Sequence, residues 1–223
     1  MTISNKIIKY ITISSLIICT ILSVVDFCCF DINFYSKSYK KYNTLETVKT
    51  TQEDLDYITK TTLDYLKDNN DDLNIEYHCD GKALPVFEDI ELIHMKDVKD
   101  LYQSAIIIRN ILLIISILGL IYIIFRKQTL KKEFSITIMF FFAILIIIVC
   151  RCLIDFDSFW IGFHKIFFTK NDYWLLDPRT CILVNLFNSN FFFDLCFKIS
   201  LISILILVIY FILVNYYEKK ILH

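Results

Sequence analysis

The sequence predicts an all-α integral membrane protein, with four transmembrane helices and an extracytoplasmic, mainly helical cap. Three observations lead there. Hydrophobic residues make up 56% of the 223 positions and mean hydropathy is +0.55, too apolar for an ordinary soluble domain. Four runs, Ile7 to Phe30, Leu101 to Phe125, Phe134 to Ile154 and Phe191 to Tyr217, approach the roughly 20 apolar residues that cross about 30 Å of hydrocarbon. Basic residues flank them on alternate sides. Lys6 and Lys9 stand at the start of the first run, Arg126, Lys127, Lys131 and Lys132 fill the link between the second and third, and Lys219 and Lys220 follow the fourth.

The positive-inside rule places both termini and that basic link in the cytoplasm. The chain then divides into a first span (1–30), a cap (31–100), a second span (101–125), a cytoplasmic link (126–133), a third span (134–154), an outer aromatic segment (155–190), and a fourth span with its tail (191–223). The first run resembles a secretory leader in its basic start and apolar middle. It lacks a small-residue cleavage site in SVVDFCCF, so it reads as an uncleaved anchor.

Within the cap, TTQEDLDYITKTTLDYL (50–66) sets Leu55, Ile58, Thr62, Leu63 and Leu66 on one helical stripe behind an acidic first turn. DNNDD (68–72) reads as a turn. In EDIELIHMKDVKDLY, Ile90, His94, Val98, Leu101 and Ala105 follow helical spacing, on a helix that runs into the second span. Of the ionisable residues within the spans, Asp26, Arg109, Arg151, Asp155 and Lys198 fall toward the outer ends. A charge in hydrocarbon costs several kcal/mol unless paired or wetted. The layer therefore implies either a polar chamber or pairing of Asp26 or Asp155 with Arg109 or Arg151.

Several function classes are excluded. The net charge is −1, which gives no basic surface for nucleic acid. Three scattered glycines (Gly81, Gly119, Gly162) cannot build a phosphate loop, so neither nucleotides nor dinucleotide cofactors are expected. The 8 cysteines lack metal or redox spacing and read as buried soft hydrophobes, with a Cys79–Cys181 bridge possible but unsupported. A zinc site drawing on His78, His94, His164 and a carboxylate lacks any local ligand pair, and no metal is expected.

Chemistry concentrates on two histidines. In FWIGFHKIFF, Trp160, Phe163, His164, Phe167 and Phe168 share one helical stripe, so His164 sits amid the apolar face. His94 occupies the other apolar stripe at the same expected depth. Two imidazoles that converge can act as base and acid within one turnover. Asp97 and Glu91, three residues to either side of His94, are close enough on a helix to orient it. His78, in the polar YHCDG, and His223 read as solvated. The competing reading is two unrelated interfacial histidines, each satisfied within an aromatic belt.

LPVFEDIELIHMKDVKDLY (84–102) and FWIGFHKIFFTKNDYWLLDPRTCILVNLF (159–187) resemble the bacterial lipoprotein intramolecular transacylases, a likeness that extends to the four-span architecture. The family's HMxDV and FHxxFF motifs correspond here to HMKDV and FHKIFF, its tryptophan to Trp174, its LxP turn to LLDP and its FY pair to Phe34-Tyr35. The chain departs from the family pattern at NSN (188–190), where a proline and an acidic residue are expected.

The resemblance implies transfer of the sn-2 acyl chain of a diacylglyceryl-modified lipoprotein to the α-amine of that lipoprotein's N-terminal cysteine, at the outer leaflet of the cell membrane. It implies His94 and His164 as the catalytic pair and no cofactor. Trp160, Phe163, Phe167, Phe168, Trp174 and Tyr35 would then wall the substrate pocket, with Arg109 and Arg151 near the carbonyl oxygens. Lipoproteins and membrane lipids are the expected partners. Rival readings are a non-catalytic membrane protein whose cap binds a partner or lipid, and a membrane lipid hydrolase.

Overall fold

The computed structural model describes residues 3–79, 82–177 and 181–222. Gly81, Pro178 of LLDP and His223 lie outside them. The chain forms α1 (Ile3–Cys29), α2 (Ile32–Lys41), α3 (Thr44–Val48), α4 (Gln52–Leu66), β1 (Glu76–Cys79), β2 (Lys82–Pro85), α5 (Asp89–Phe125), α6 (Lys131–Ile154), α7 (Phe156–Phe167), α8 (Ile182–Leu186) and α9 (Ser189–Leu222). Of these, α1, α5, α6 and α9 are long and apolar enough to cross a membrane.

Two compact units emerge. One comprises the chain up to Phe27, Ala105–Ile154, and the chain from Cys196 onward. Its core gathers Ile13, Ile17, Ile123, Phe134, Ile138 and Leu207, while Leu118, Ile121 and Phe125 stay more than half exposed, as lipid-facing side chains do. At Gly119, α5 comes so close to α1 that an added Cβ would lie 2.0 Å from Thr12 Oγ1. Small residues permit such an approach in membrane helices. Lys9, expected at the wet end of α1, is fully buried, with its Nζ 3.7 Å from a Glu133 carboxylate oxygen. Glu218 accepts hydrogen bonds from the backbone N–H groups of Leu130 and Lys131, which capture orphan donors where α6 begins.

The second unit comprises Cys28–Ser104 and Asp155–Leu195. Thr51 caps α4 through Asp54 N–H at 3.1 Å, and Leu55, Ile58, Thr62 and Leu63 are buried as their spacing predicts. Tyr39 and Thr59 join α2 to α4 by a buried hydroxyl pair at 2.6 Å. Lys99 meets Asp68 at 2.6 Å and Gln103 donates to Leu66 O at 2.7 Å, which ties the start of α5 to the end of α4.

Two sequence expectations change here. The segment around His78 is an antiparallel hairpin, Tyr77 opposite Leu84, and not a bare loop. The buried face of α5's first turns is Glu91, His94 and Met95, whereas Ile90 is half exposed. Cys79 and Cys181 remain thiols.

Candidate active site

Both histidines belong to the second unit. His94 enters on α5, in polar turns that precede the apolar run from Leu101. A side chain of its first turn caps that helix: the Glu91 carboxylate accepts from Glu88 N–H at 2.7 Å, and its other oxygen accepts from Leu183 N–H at 3.2 Å, at the start of α8. One buried side chain thus closes two helix starts.

His164 enters on α7. Asp155 caps that helix, one carboxylate oxygen accepting from Ser158 N–H at 3.0 Å and the other from the Ser158 hydroxyl at 2.5 Å. The apolar stripe of FWIGFHKIFF then turns His164 inward, and it is the buried residue of α7.

The two imidazoles meet. Their ring centroids are 5.9 Å apart and tilted by 34°. Phe168 touches both, at 5.0 Å from His94 and 5.4 Å from His164. Trp174 lies against His164 at 5.1 Å, and Trp160 meets it edge-on at 4.8 Å. Trp160 is itself stacked with Phe163, at 5.2 Å, and with Phe192, at 4.1 Å. The wall on that side of His164 is aromatic.

Protonation follows from the partners. His164 Nδ1 lies 2.8 Å from Trp160 O, and a carbonyl only accepts, so Nδ1 carries the hydrogen. Among the described residues nothing bonds Nε2, whose lone pair in the neutral ring can take a proton. Burial holds His164 below the ordinary histidine value, opposed by that hydrogen bond to Trp160. Burial also lowers His94, to about 4, with His164 adding to the shift and the Asp97 charge opposing it. Both rings are neutral near pH 7.

The other expected residues sort themselves by location. Asp97 influences His94 by its charge, and its carboxylate accepts from Asn171 Nδ2 at 3.3 Å. Glu91 acts on backbone N–H groups, and burial raises its carboxyl above the ordinary range. Phe167 is half exposed and packs on Phe163 at 4.7 Å. Tyr35 is buried one layer away, its hydroxyl donating to Cys29 O at 2.7 Å and its ring against Phe191 at 5.0 Å. Arg109 and Arg151 belong to the other unit. Arg109 is held by Asp26 at 2.7 Å, the pairing foreseen as an alternative to a substrate role, and Arg151 is exposed in the last turn of α6.

A sequence model described as lipoprotein intramolecular transacylase Lit matches residues 10–192. The chain belongs to the lipoprotein intramolecular transacylase family. A structure of the membrane integral lipoprotein intramolecular transacylase Lit from Bacillus cereus, solved in meso, matches with TM-score 0.82 at 19% identity over 97% of each chain. Two structures of that protein with one histidine changed, to arginine and to alanine, each match with TM-score 0.77 at 20% identity, covering 97% of this chain and 93% and 94% of theirs. A comparison with the curated proteins finds no match.

Membership in this transacylase family makes the chain an acyltransferase-type, multi-pass membrane enzyme. Its fold is that of the solved family structure. Sequence reasoning missed three parts of the site: Phe192 behind Trp160, Asn171 beside Asp97, and Glu91 as a double cap. Phe192 lay within an apolar span and Asn171 in a polar loop, and neither position carried a distinguishing pattern.

Proposed function

We propose that the chain transfers the sn-2 acyl chain of a diacylglyceryl-modified lipoprotein to the α-amine of that lipoprotein's N-terminal cysteine, leaving a lyso-form product. The observation that carries this reading is a pair of buried, neutral imidazoles with centroids 5.9 Å apart in a member of this family. At that separation both rings can reach one small reacting group bound against them. The free Nε2 of His164 takes a proton from the attacking nitrogen as the N–C bond forms. The protonated His164 passes that proton to His94 in the same step in which His94 gives its own N–H proton to the departing glycerol oxygen and the C–O bond breaks. Both rings end neutral, and no nucleotide is consumed because ester-to-amide conversion runs downhill.

Donor and acceptor belong to one substrate, so alignment supplies much of the rate, and effective molarities of about 10⁵ M or more are attainable. Trp160, Phe163 and Phe168 exclude water that would otherwise hydrolyse the ester. In the accompanying topology the termini and residues 126–133 are cytoplasmic, and 31–100 and 155–190 face the exterior. Lipoproteins and lipids then reach the site from the outer leaflet. Mass spectrometry of a lipoprotein's N-terminal peptide, from cells with and without the chain, tests the reaction. Lyso-form peptide that appears only with the chain supports transacylation, whereas released fatty acid without N-acylation indicates a hydrolase.

A further inference from the structure

Trp174 holds a feature that the two-histidine proton transfer leaves unused. Its indole lies against the His164 ring at 5.1 Å, tilted by 30°. Its Nε1 is shut away from solvent yet has no hydrogen-bond partner among the described residues. Leaving a buried N–H unpaired is costly, and native proteins satisfy nearly all such groups. The indole nitrogen only donates, so the missing partner is an acceptor. The His164 ring packed on the indole takes no hydrogen bond from Nε1, and its own Nδ1 is engaged with the carbonyl oxygen of Trp160.

The loop that carries the indole is fixed on both sides. Asn171 bonds Asp97, Tyr173 N–H donates to Asn171 Oδ1 at 3.0 Å, and Leu175 N–H donates to Asp172 O at 2.9 Å. A donor held in place beside a catalytic base, and lacking a partner at rest, has the preorganisation that stabilises a developing oxyanion.

We infer that Trp174 Nε1–H donates to the acyl carbonyl oxygen of the substrate ester. This inference rests on the transacylase reading above. As the amine nitrogen bonds to the carbonyl carbon, the C=O π pair moves onto that oxygen, and the indole N–H receives the charge. When the pair returns, the glycerol oxygen leaves with the proton delivered through the histidines. Trp174 is thus a catalytic residue that binds the transition state more strongly than the ground state.

The test uses the full chain in detergent micelles with a diacylglyceryl lipopeptide. Trp174→Phe keeps a ring on His164 and removes the donor. Its kcat is expected to fall about 10²- to 10³-fold with KM within about threefold, the range seen on losing one oxyanion donor. A Phe variant with the wild-type rate overturns the inference.

A second arm needs no turnover. An N-acetylated lipopeptide with a ¹³C-labelled ester carbonyl cannot accept the acyl chain, and bound to wild type its carbonyl stretch should shift to lower frequency. The chain has 2 Trp, so the indole N–H spectrum of wild type is simple and one resonance should move downfield on binding. An unshifted ester band and an unmoved indole resonance overturn the Trp174 assignment even where Trp174→Phe fails to fold. Both shifts present in wild type, with no lyso-form product from the free-amine lipopeptide, would defeat the transacylase reading and leave the donor standing.

Discussion

Replacing Glu91 by alanine removes the acceptor from two backbone donors, Glu88 N–H at 2.7 Å and Leu183 N–H at 3.2 Å, in a side chain only 1% exposed. A hydrogen bond to a charged group is worth about 1.5–3 kcal/mol, and orphaning a buried donor costs about as much. Glu91→Ala should therefore weaken the unit by about 3–5 kcal/mol, and Glu91→Gln, which keeps one oxygen acceptor, by about 1–2 kcal/mol. At the lower figure for alanine, local opening of the two helix starts becomes about 150-fold more frequent. Hydrogen exchange of the chain in micelles, followed on peptides covering residues 88–92 and 182–186, reads this directly. Both peptides should lose protection together, although about 90 residues separate them in sequence. Unchanged protection in the alanine variant would refute the double cap. Loss confined to the first peptide would refute the bond to α8.

Three further outcomes follow from the geometry. Both histidines have folded-state values below 6.5, so the unfolded chain binds protons at a higher pH than the folded one. Stability should be level above pH 6.5 and fall as pH drops toward about 4, by about 3 kcal/mol for His94 alone, and a melting series from pH 8 to pH 5 in wild type and His94→Phe should show a shallower slope in the variant. Imidazole NMR should find His164 as the Nδ1–H tautomer at neutral pH, and an Nε2–H tautomer would remove its assignment as base. Gly119→Val should push α5 off α1, because its Cβ would fall 2.0 Å from Thr12 Oγ1, and a loss of about 1–3 kcal/mol in detergent-resistance assays is expected.

Hydropathy made the four long helices legible, because about 20 apolar residues in succession have few other uses. Helical spacing also made His164 legible: Trp160, Phe163 and Phe167 flank it at helical intervals, and His164 is the residue of α7 that is buried. The buried face of α5 was harder to read. Helical spacing put Ile90 on the buried stripe and gave Glu91 the task of orienting His94, yet Ile90 is half exposed and the buried Glu91 serves the backbone's need for acceptors at two helix starts. The β1–β2 hairpin escaped because its strands are four residues each, too short for the alternation in β1 to stand out, and β2 is exposed throughout. Lys9 read as a wet flank because its partner Glu133 lies far along the chain, and no local pattern announces a pair at that separation. For Arg109 the depth argument found the charge but could not choose between substrate and Asp26, and the 2.7 Å contact favours the pairing.

The two-imidazole mechanism is tested most directly by His94→Ala and His164→Ala, made separately and presented with the same diacylglyceryl lipopeptide in micelles. The account predicts that each variant inserts and folds as wild type does while lyso-form product falls by at least about 10²-fold, the contribution of a positioned acid or base. Product formed at the wild-type rate by either variant would contradict it.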